Sequence, residues 1–419
     1  MTVARRAVIQ AGVAAGLCGL SPVPSLRSLA FAGGSTAQTI LVVVHLRGGC
    51  DGLNLVSPAS DPALIAARAS DLRVAVDGPD QGLPLANGPD PKIDFRLHPQ
   101  AGGLAELYKS GQLALVHAVG LTDGTRSHFV ATDMIEHGVA DTAGLNHAST
   151  GWLCRALGAP NVNTLVAASA SGTPSGDLAG LAGALAIADL GGGLGLPGGE
   201  PVHRMLQRLY GGTNGAAAEA GRRALTSLGT VDSHVPRGPQ QKPLPYQPAE
   251  GVKYDGSGEY ERALKTVAQL IKMEIGLQAL TVDLGGWDTH EYQNGRFRAQ
   301  VGKLSNGLTA FWNDLAAYHN RMIVVTVTEF GRRLRGNRSG GTDHGRASVM
   351  MVLGGKVHGG RFYGTWPGLD PQALDEGVDL KVATDYRQVI RELIDAKAGH
   401  RLDSVFPGYR YPGPLGLLA

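Results

Sequence analysis

Four near-continuous apolar runs, rich in β-branched residues, dictate most of what this chain can become. TILVVVHL (39–46), ALTVDL (279–284), RMIVVTVTEF (321–330) and SVMMVLGG (348–355) lack the apolar/polar alternation of a half-exposed strand. Runs of this kind suit strands buried on both faces of a mostly parallel sheet, with helices above and below. Each is joined to a cluster of acids or histidines. LRGGCDG leads from the first to Asp51, GGWDTH supplies Asp288 and His290, Glu329 ends the third, and GTDHG with Asp343 and His344 precedes the fourth. In open α/β sheets the ligand crevice lies beyond the carboxyl ends of the strands, so these distant segments are expected to meet in one metal or acid/base site.

Between the runs the pattern changes to helix, as strand, crossover and strand units require. A helix is expected near 100–110, a further strand over 112–120, a helix after Ser127, helices at about 258–278 and 297–319, and a last one in DYRQVIRELIDAKAG. Residues 57–98 read as a long excursion rich in Pro, Asp and Gly. The stretch around 172–250, poor in periodicity and rich in Gly, Ala and Pro, reads as an insertion of short helices and loops. The chain has 419 residues and 18% charged residues, which suits a soluble globular α/β enzyme of a single large domain rather than a fibrous or disordered protein.

The first 32 residues read as a targeting segment. Arg5-Arg6, the weak apolar run AVIQAGVAAGLCGL and the small-residue end Ala30-Phe31-Ala32 have the form of a twin-arginine export signal, which sends folded cargo to the periplasm or outside the cell. That segment holds Arg5, Arg6 and Arg27 and no acids, so the formal charge of +2 falls to −1 without it. A near-neutral remainder argues against nucleic acid as a partner. The expected partners are the twin-arginine translocase during export and a small anionic ester or anionic glycan, with no stable membrane anchor. Two cysteines remain, Cys50 and Cys154, which leaves a disulfide open and makes cysteine-held zinc a poor reading.

Several residues are candidates for chemistry. Asp51 follows a Gly-Gly turn, where backbone approaches a ligand closely; the bland reading is a helix cap. Asp288 and His290, two apart, point the same way if extended, and oxygen with imidazole suits zinc, manganese or iron more than calcium. Glu329 is either a metal ligand or half of an ion pair with the arginines that follow, among them Arg332. His344, and less so Asp343, completes the set. Ser127 in TRSHF stands where a helix N-cap belongs, and there it is also placed as a nucleophile, beside Arg126 and His128 for an oxyanion. Thr122 and Thr125 are the substitutes. No GxSxG elbow, phosphate loop or dinucleotide fingerprint is present, which removes the common serine hydrolases, nucleotide hydrolases and dehydrogenases.

The motifs LRGGCDGLN, RSHFVATDMIEHG, GGWDTH, TEFGR and DHG, in this order behind a twin-arginine signal, resemble the bacterial family called domain of unknown function 1501. That family looks like a branch of the alkaline phosphatase and sulfatase superfamily. The resemblance implies an alkaline phosphatase-like fold, a three-layer αβα sandwich with a mostly parallel central sheet. It implies Ser127 as nucleophile and one or two divalent ions (Zn, Mn, Mg or Ca) held by Asp51, Asp288, His290, Glu329 and His344. Arg126 or Arg332 would then hold the free oxygens of an anionic phosphate or sulfate ester. The chain departs from the superfamily where Asp-His is usual, since Glu329 is followed by Phe330, and its Asp288-x-His290 spacing is tighter. One good metal site plus a weak one follows from that departure. The competing expectation is a non-catalytic envelope protein that binds an anionic glycan or partner on the same fold. No C/S-x-P-x-R sequence occupies the nucleophile region, which weighs modestly against sulfatase chemistry.

Overall fold

The computed structural model describes residues 39–158, 165–194, 196, 198–256, 258–398 and 403–418. The targeting segment read over 1–32 lies outside them. The apolar runs form one nine-stranded sheet. In chain order its strands are β1 (Ile40–Leu46), β2 (Leu113–Gly120), β3 (Ala167–Ser169), β4 (Leu185–Ala186), β5 (Ala279–Leu284), β6 (Met322–Val327), β7 (Ser348–Gly354), β8 (Phe362–Tyr363) and β9 (Thr384–Asp385). Their lateral order is β8-β2-β7-β6-β1-β5-β3-β4, with β9 also paired to β2. Every pairing is parallel except those of β7, which runs antiparallel to both β2 and β6.

The longer helices are α1 (Gly102–Lys109), α2 (His128–His137), α3 (Trp152–Leu157), α4 (Gly199–Gly211), α5 (Ala216–His234), α6 (Glu259–Lys272), α7 (Gln293–Asp314) and α8 (Tyr386–Ala398). Alternate residues of β1 face two separate cores, which is why its sequence shows no polar alternation. Val42 and Val44 pack with Leu104, Leu264, Val301 and Leu308 of α1, α6 and α7. Leu41 and Val43 pack with Met134, Trp152, Val389 and Ile390 of α2, α3 and α8 on the other face. The molecule is therefore a three-layer α/β sandwich with a large, mostly parallel sheet, as the sequence implies.

Two features differ from the sequence reading. The Gly/Ala/Pro-rich stretch contains a helical hairpin, α4 with α5, whose helices are 13 and 19 residues long rather than short. Alanine and arginine there favour helix, and the glycines lie mostly at the ends, where they cap. The second feature is the reversed strand β7. Because it runs against its neighbours, it begins at the edge where they end, so the residues before it, Asp343 and His344, join residues that follow β1, β5 and β6.

Candidate metal centre

One helix start, one loop and one short strand bring the side chains together. His128 is the first residue of α2, after β2; Asp288 and His290 follow β5; His344 ends the short strand Thr342–His344, whose Arg332–His344 pairing ties it to the segment Arg332–Gly336. Their ligand atoms converge. One ligand atom each of His128, Asp288 and His344 lies within 4.8 Å of the others. His290 Nε2 is 2.8 Å from His344 Nε2 and 3.1 Å from Asp288 Oδ1. The Nε2 atoms of His344 and His128 lie 3.3 and 3.5 Å from the same Asp288 oxygen.

The opposite nitrogen of each ring is fixed by a different acceptor. His128 Nδ1 sits 2.8 Å from Glu329 Oε1, His290 Nδ1 3.0 Å from Asp343 Oδ1, and His344 Nδ1 2.9 Å from the Arg126 carbonyl. An imidazole that donates from Nδ1 presents Nε2 as a lone pair, the arrangement by which proteins aim histidines at metals. His128 Nε2 is buried with no hydrogen-bond partner, an orphan that a cation would satisfy. Three imidazoles and one carboxylate suit zinc or manganese better than calcium or magnesium, which prefer oxygen. The residues present therefore fit a single divalent ion.

The local electrostatics agree with these roles. The hydrogen bond to Glu329 raises the His128 pKa above its ordinary value against the pull of burial. Burial lowers His344. Burial alone would raise Asp288 and Glu329, but hydrogen bonds outweigh it, from Arg332 in the first case and from His128 and the Gly48 N–H in the second, and both carboxyls lie low. Asp343 is lowered by its hydrogen bonds from Asn337 and His290.

Other residues expected at the site hold it rather than face into it. Asp51 is fully buried: Arg68 donates to both its oxygens, at 2.7 and 3.1 Å, and Gln293 donates at 2.6 Å. It does not join the cluster, because its acceptor capacity is spent on an internal pair. Glu329 contacts the ring of His128, the Gly48 N–H at 2.7 Å and the Thr328 hydroxyl at 3.2 Å, and stands behind the imidazoles. Arg332 is fully buried and donates to the carbonyls of Gly48, Gly49, Thr342 and Trp287 and to Asp288 at 2.7 Å. Its guanidinium thus laces three strand-end loops together and is engaged within the protein. Arg126 binds Asp379 at 2.5 Å and Glu376 at 3.2 Å, so its charge is balanced within the protein.

Ser127 is exposed at the N-cap of α2, and its hydroxyl makes no capping bond. Phe330 follows Glu329 at the edge of the site. Its ring is buried and lies 4.8 and 4.7 Å from those of His128 and His344, an apolar wall behind both. Two glycines make this closeness possible. A Cβ on Gly48, at φ +118°, would stand 2.5 Å from the Asp288 nitrogen, and one on Gly49, at φ +71°, 2.5 Å from the Phe330 ring.

His128 is the candidate ligand that sequence reasoning missed. RSHF read as a serine at a helix start with an oxyanion-binding neighbour; the signal available was a histidine on the first turn after a buried strand. A second group, His45, Glu136 and Asp177, also gathers possible ligands, and all three are buried. Its atoms already serve each other: His45 Nε2 lies 2.6 Å from Asp177, Trp152 and Ser175 donate to Asp177, and Arg47 donates to Glu136. It needs no ion.

No curated protein matches the chain. Among solved structures, it is similar to the C-terminal periplasmic domain of EptC from Escherichia coli in complex with Zn, at 8% identity and TM-score 0.34, covering 77% of this chain and 75% of that one. It is similar also to the lipoteichoic acid synthase LtaP from Listeria monocytogenes, at 10% identity and TM-score 0.33, covering 82% and 71%. Alkaline phosphatase from the Antarctic bacterium TAB5 aligns at 8% identity and TM-score 0.28, covering 76% and 92%. Residues 240–392, the region that carries Asp288, His290, Glu329 and His344, match the family described as Protein of unknown function (DUF1501).

Proposed function

We propose that this chain is an exported, metal-dependent hydrolase of phosphate or sulfate esters, with one divalent ion held by His128, Asp288, His290 and His344. The observation that carries the reading is the convergence of three Nε2 atoms on one Asp288 oxygen while every Nδ1 is bound elsewhere. A divalent ion at such a place supplies Lewis-acid polarisation of an ester oxygen.

The chain's own groups do the rest. Ser127 is the proposed nucleophile. Its hydroxyl faces solvent at the positive end of a ten-residue helix, next in sequence to His128, and is free of the capping bond that would occupy it. Glu329, Asp343 and the Arg126 carbonyl fix the imidazole tautomers, and Phe330 keeps water from the back of the rings. Export by the twin-arginine route is part of the same proposal; among the described residues no helix is long and apolar enough to cross a membrane.

Metal analysis of purified protein tests the site: about one equivalent of zinc or manganese is expected, and His344→Ala and His128→Ala should lose it. Aryl phosphate, phosphodiester and aryl sulfate substrates, each run with Zn, Mn, Mg and Ca, test the chemistry, and Ser127→Ala should abolish turnover while metal is retained. One observation favours a second reading, a non-catalytic envelope protein that binds an anionic glycan or partner. Arg126 and Arg332, expected to grip the substrate anion, are both engaged within the protein. A loaded protein that turns over none of the panel supports that reading.

A further inference from the structure

The helical hairpin α4–α5 carries an unusual outer face. Within α4, Leu206 is the buried residue, and the helix packs chiefly on α5. At about 100° per residue, Pro201, Arg204, Met205 and Arg208 fall on one side of the helix, with Leu209 next to Met205 at the edge toward Leu206. Met205 and Leu209 are 57% and 53% exposed, among the few large apolar side chains of the described residues left in water. Pro201, Arg204, Met205 and Arg208 line one open, shallow groove.

The charge on this face has one sign. Among the described residues neither Arg204 nor Arg208 has an ion-pair partner. The nearby acids are turned to other partners: Glu200 lies 3.8 Å from His203, and Glu219 pairs with Arg223 on α5. Two unpaired guanidinium groups beside two exposed apolar chains on one helical stripe make an amphipathic surface whose complement is anionic and apolar together. A phospholipid surface offers the complement of both at once, phosphates for the arginines and acyl chains for the apolar pair.

We propose that the outer face of α4 is a reversible docking surface for an anionic lipid membrane, which would hold the protein against the membrane without anchoring it. The inference is independent of the metal centre. The face is local: α4 rests on α5, and the substitutions needed to test it touch no buried residue.

Co-sedimentation of the purified protein with vesicles of phosphatidylglycerol in phosphatidylcholine, and of phosphatidylcholine alone, tests it. Binding is expected to the anionic vesicles only and to weaken as salt is raised. Arg204→Gln with Arg208→Gln should lower affinity about 30-fold, and Met205→Ser with Leu209→Ser about tenfold, each with an unchanged circular dichroism spectrum. Equal binding to both vesicle types, no binding to either, or unchanged binding by both double variants overturns the proposal. So does a wild-type dimer that the same substitutions convert to monomer, which would assign the face to a second copy of the chain.

Discussion

His128 Nδ1 and Glu329 Oε1 stand 2.8 Å apart, with Oε1 also accepting the Gly48 N–H. The carboxylate that follows β6 therefore orients a ring that starts α2, from the side away from the candidate ion. Removing such a support costs metal affinity about 10- to 100-fold, whereas removing a ligand costs more. Glu329→Ala is expected to fall in that range and Glu329→Gln, which keeps an acceptor, to lose less. Chelator competition measures both; complete loss of metal in both variants would instead make Glu329 a ligand.

Asp51 gives the opposite case, an acid at a strand end with a structural partner. Its pair with Arg68 is fully buried, so removing one member leaves an uncompensated charge without water. Arg68→Met is expected to lower stability by about 3–5 kcal/mol, read from urea unfolding. Asp51→Asn should also destabilise but bind the same equivalent of metal at saturation. Loss of metal from a folded Asp51→Asn protein would return Asp51 to the ligand set.

Phe330 packs against His128 and His344 and has little room to be replaced. Phe330→Ala opens a cavity worth about 3–5 kcal/mol and frees two imidazoles to turn. Stability and metal affinity should fall together, and Phe330→Leu should recover most of the first and part of the second. A variant that loses stability but binds metal as tightly as the wild type would show that the ring fills space without steering the ligands.

The sheet was legible because burial on both faces writes itself into composition. TILVVVHL, ALTVDL and MIVVTV admit few other readings, and the strand ends marked the right edge of the molecule. Which acid faces the crevice was not legible. Asp51 and Glu329 both follow buried strands, and their roles depend on partners far away in sequence, Arg68 and Gln293 for one, His128 for the other. Sequence spacing carries no record of such pairings. His344 was readable from its loop, but its approach depends on β7 running backwards, a choice made by tertiary packing rather than by local pattern. Arg332 followed the same logic: an arginine in a polar loop suggested an anion site, and folding turns its guanidinium to carbonyls of the loops after β1 and β5 and before β7, and to Asp288.

Two histidines away from the candidate metal centre contribute to the response to acid. His117, in the middle of β2, is enclosed: its ring lies 2.7 Å from the Val56 carbonyl through Nε2 and accepts the Ala118 N–H at 2.9 Å through Nδ1. That pairing requires the neutral tautomer, and burial lowers its pKa to about 4. His98, beside α1, is likewise lowered by burial to about 4. The unfolded chain takes up these protons near the ordinary value of about 6.5, so between that pH and about 4 the unfolded state binds more protons than the folded one. Stability is full above the unfolded value and is lost as pH falls, by up to about 1.4 kcal/mol per pH unit for each ring. At pH 5 this amounts to about 2 kcal/mol for His117. Urea unfolding of wild type and His117→Gln at pH 7 and pH 5 isolates the effect. The variant is less stable at pH 7, having lost a fitted ring, but its further loss on going to pH 5 should be smaller than that of the wild type by about 2 kcal/mol. Equal losses in the two proteins would mean that His117 takes up its proton in the folded state as readily as in the unfolded one.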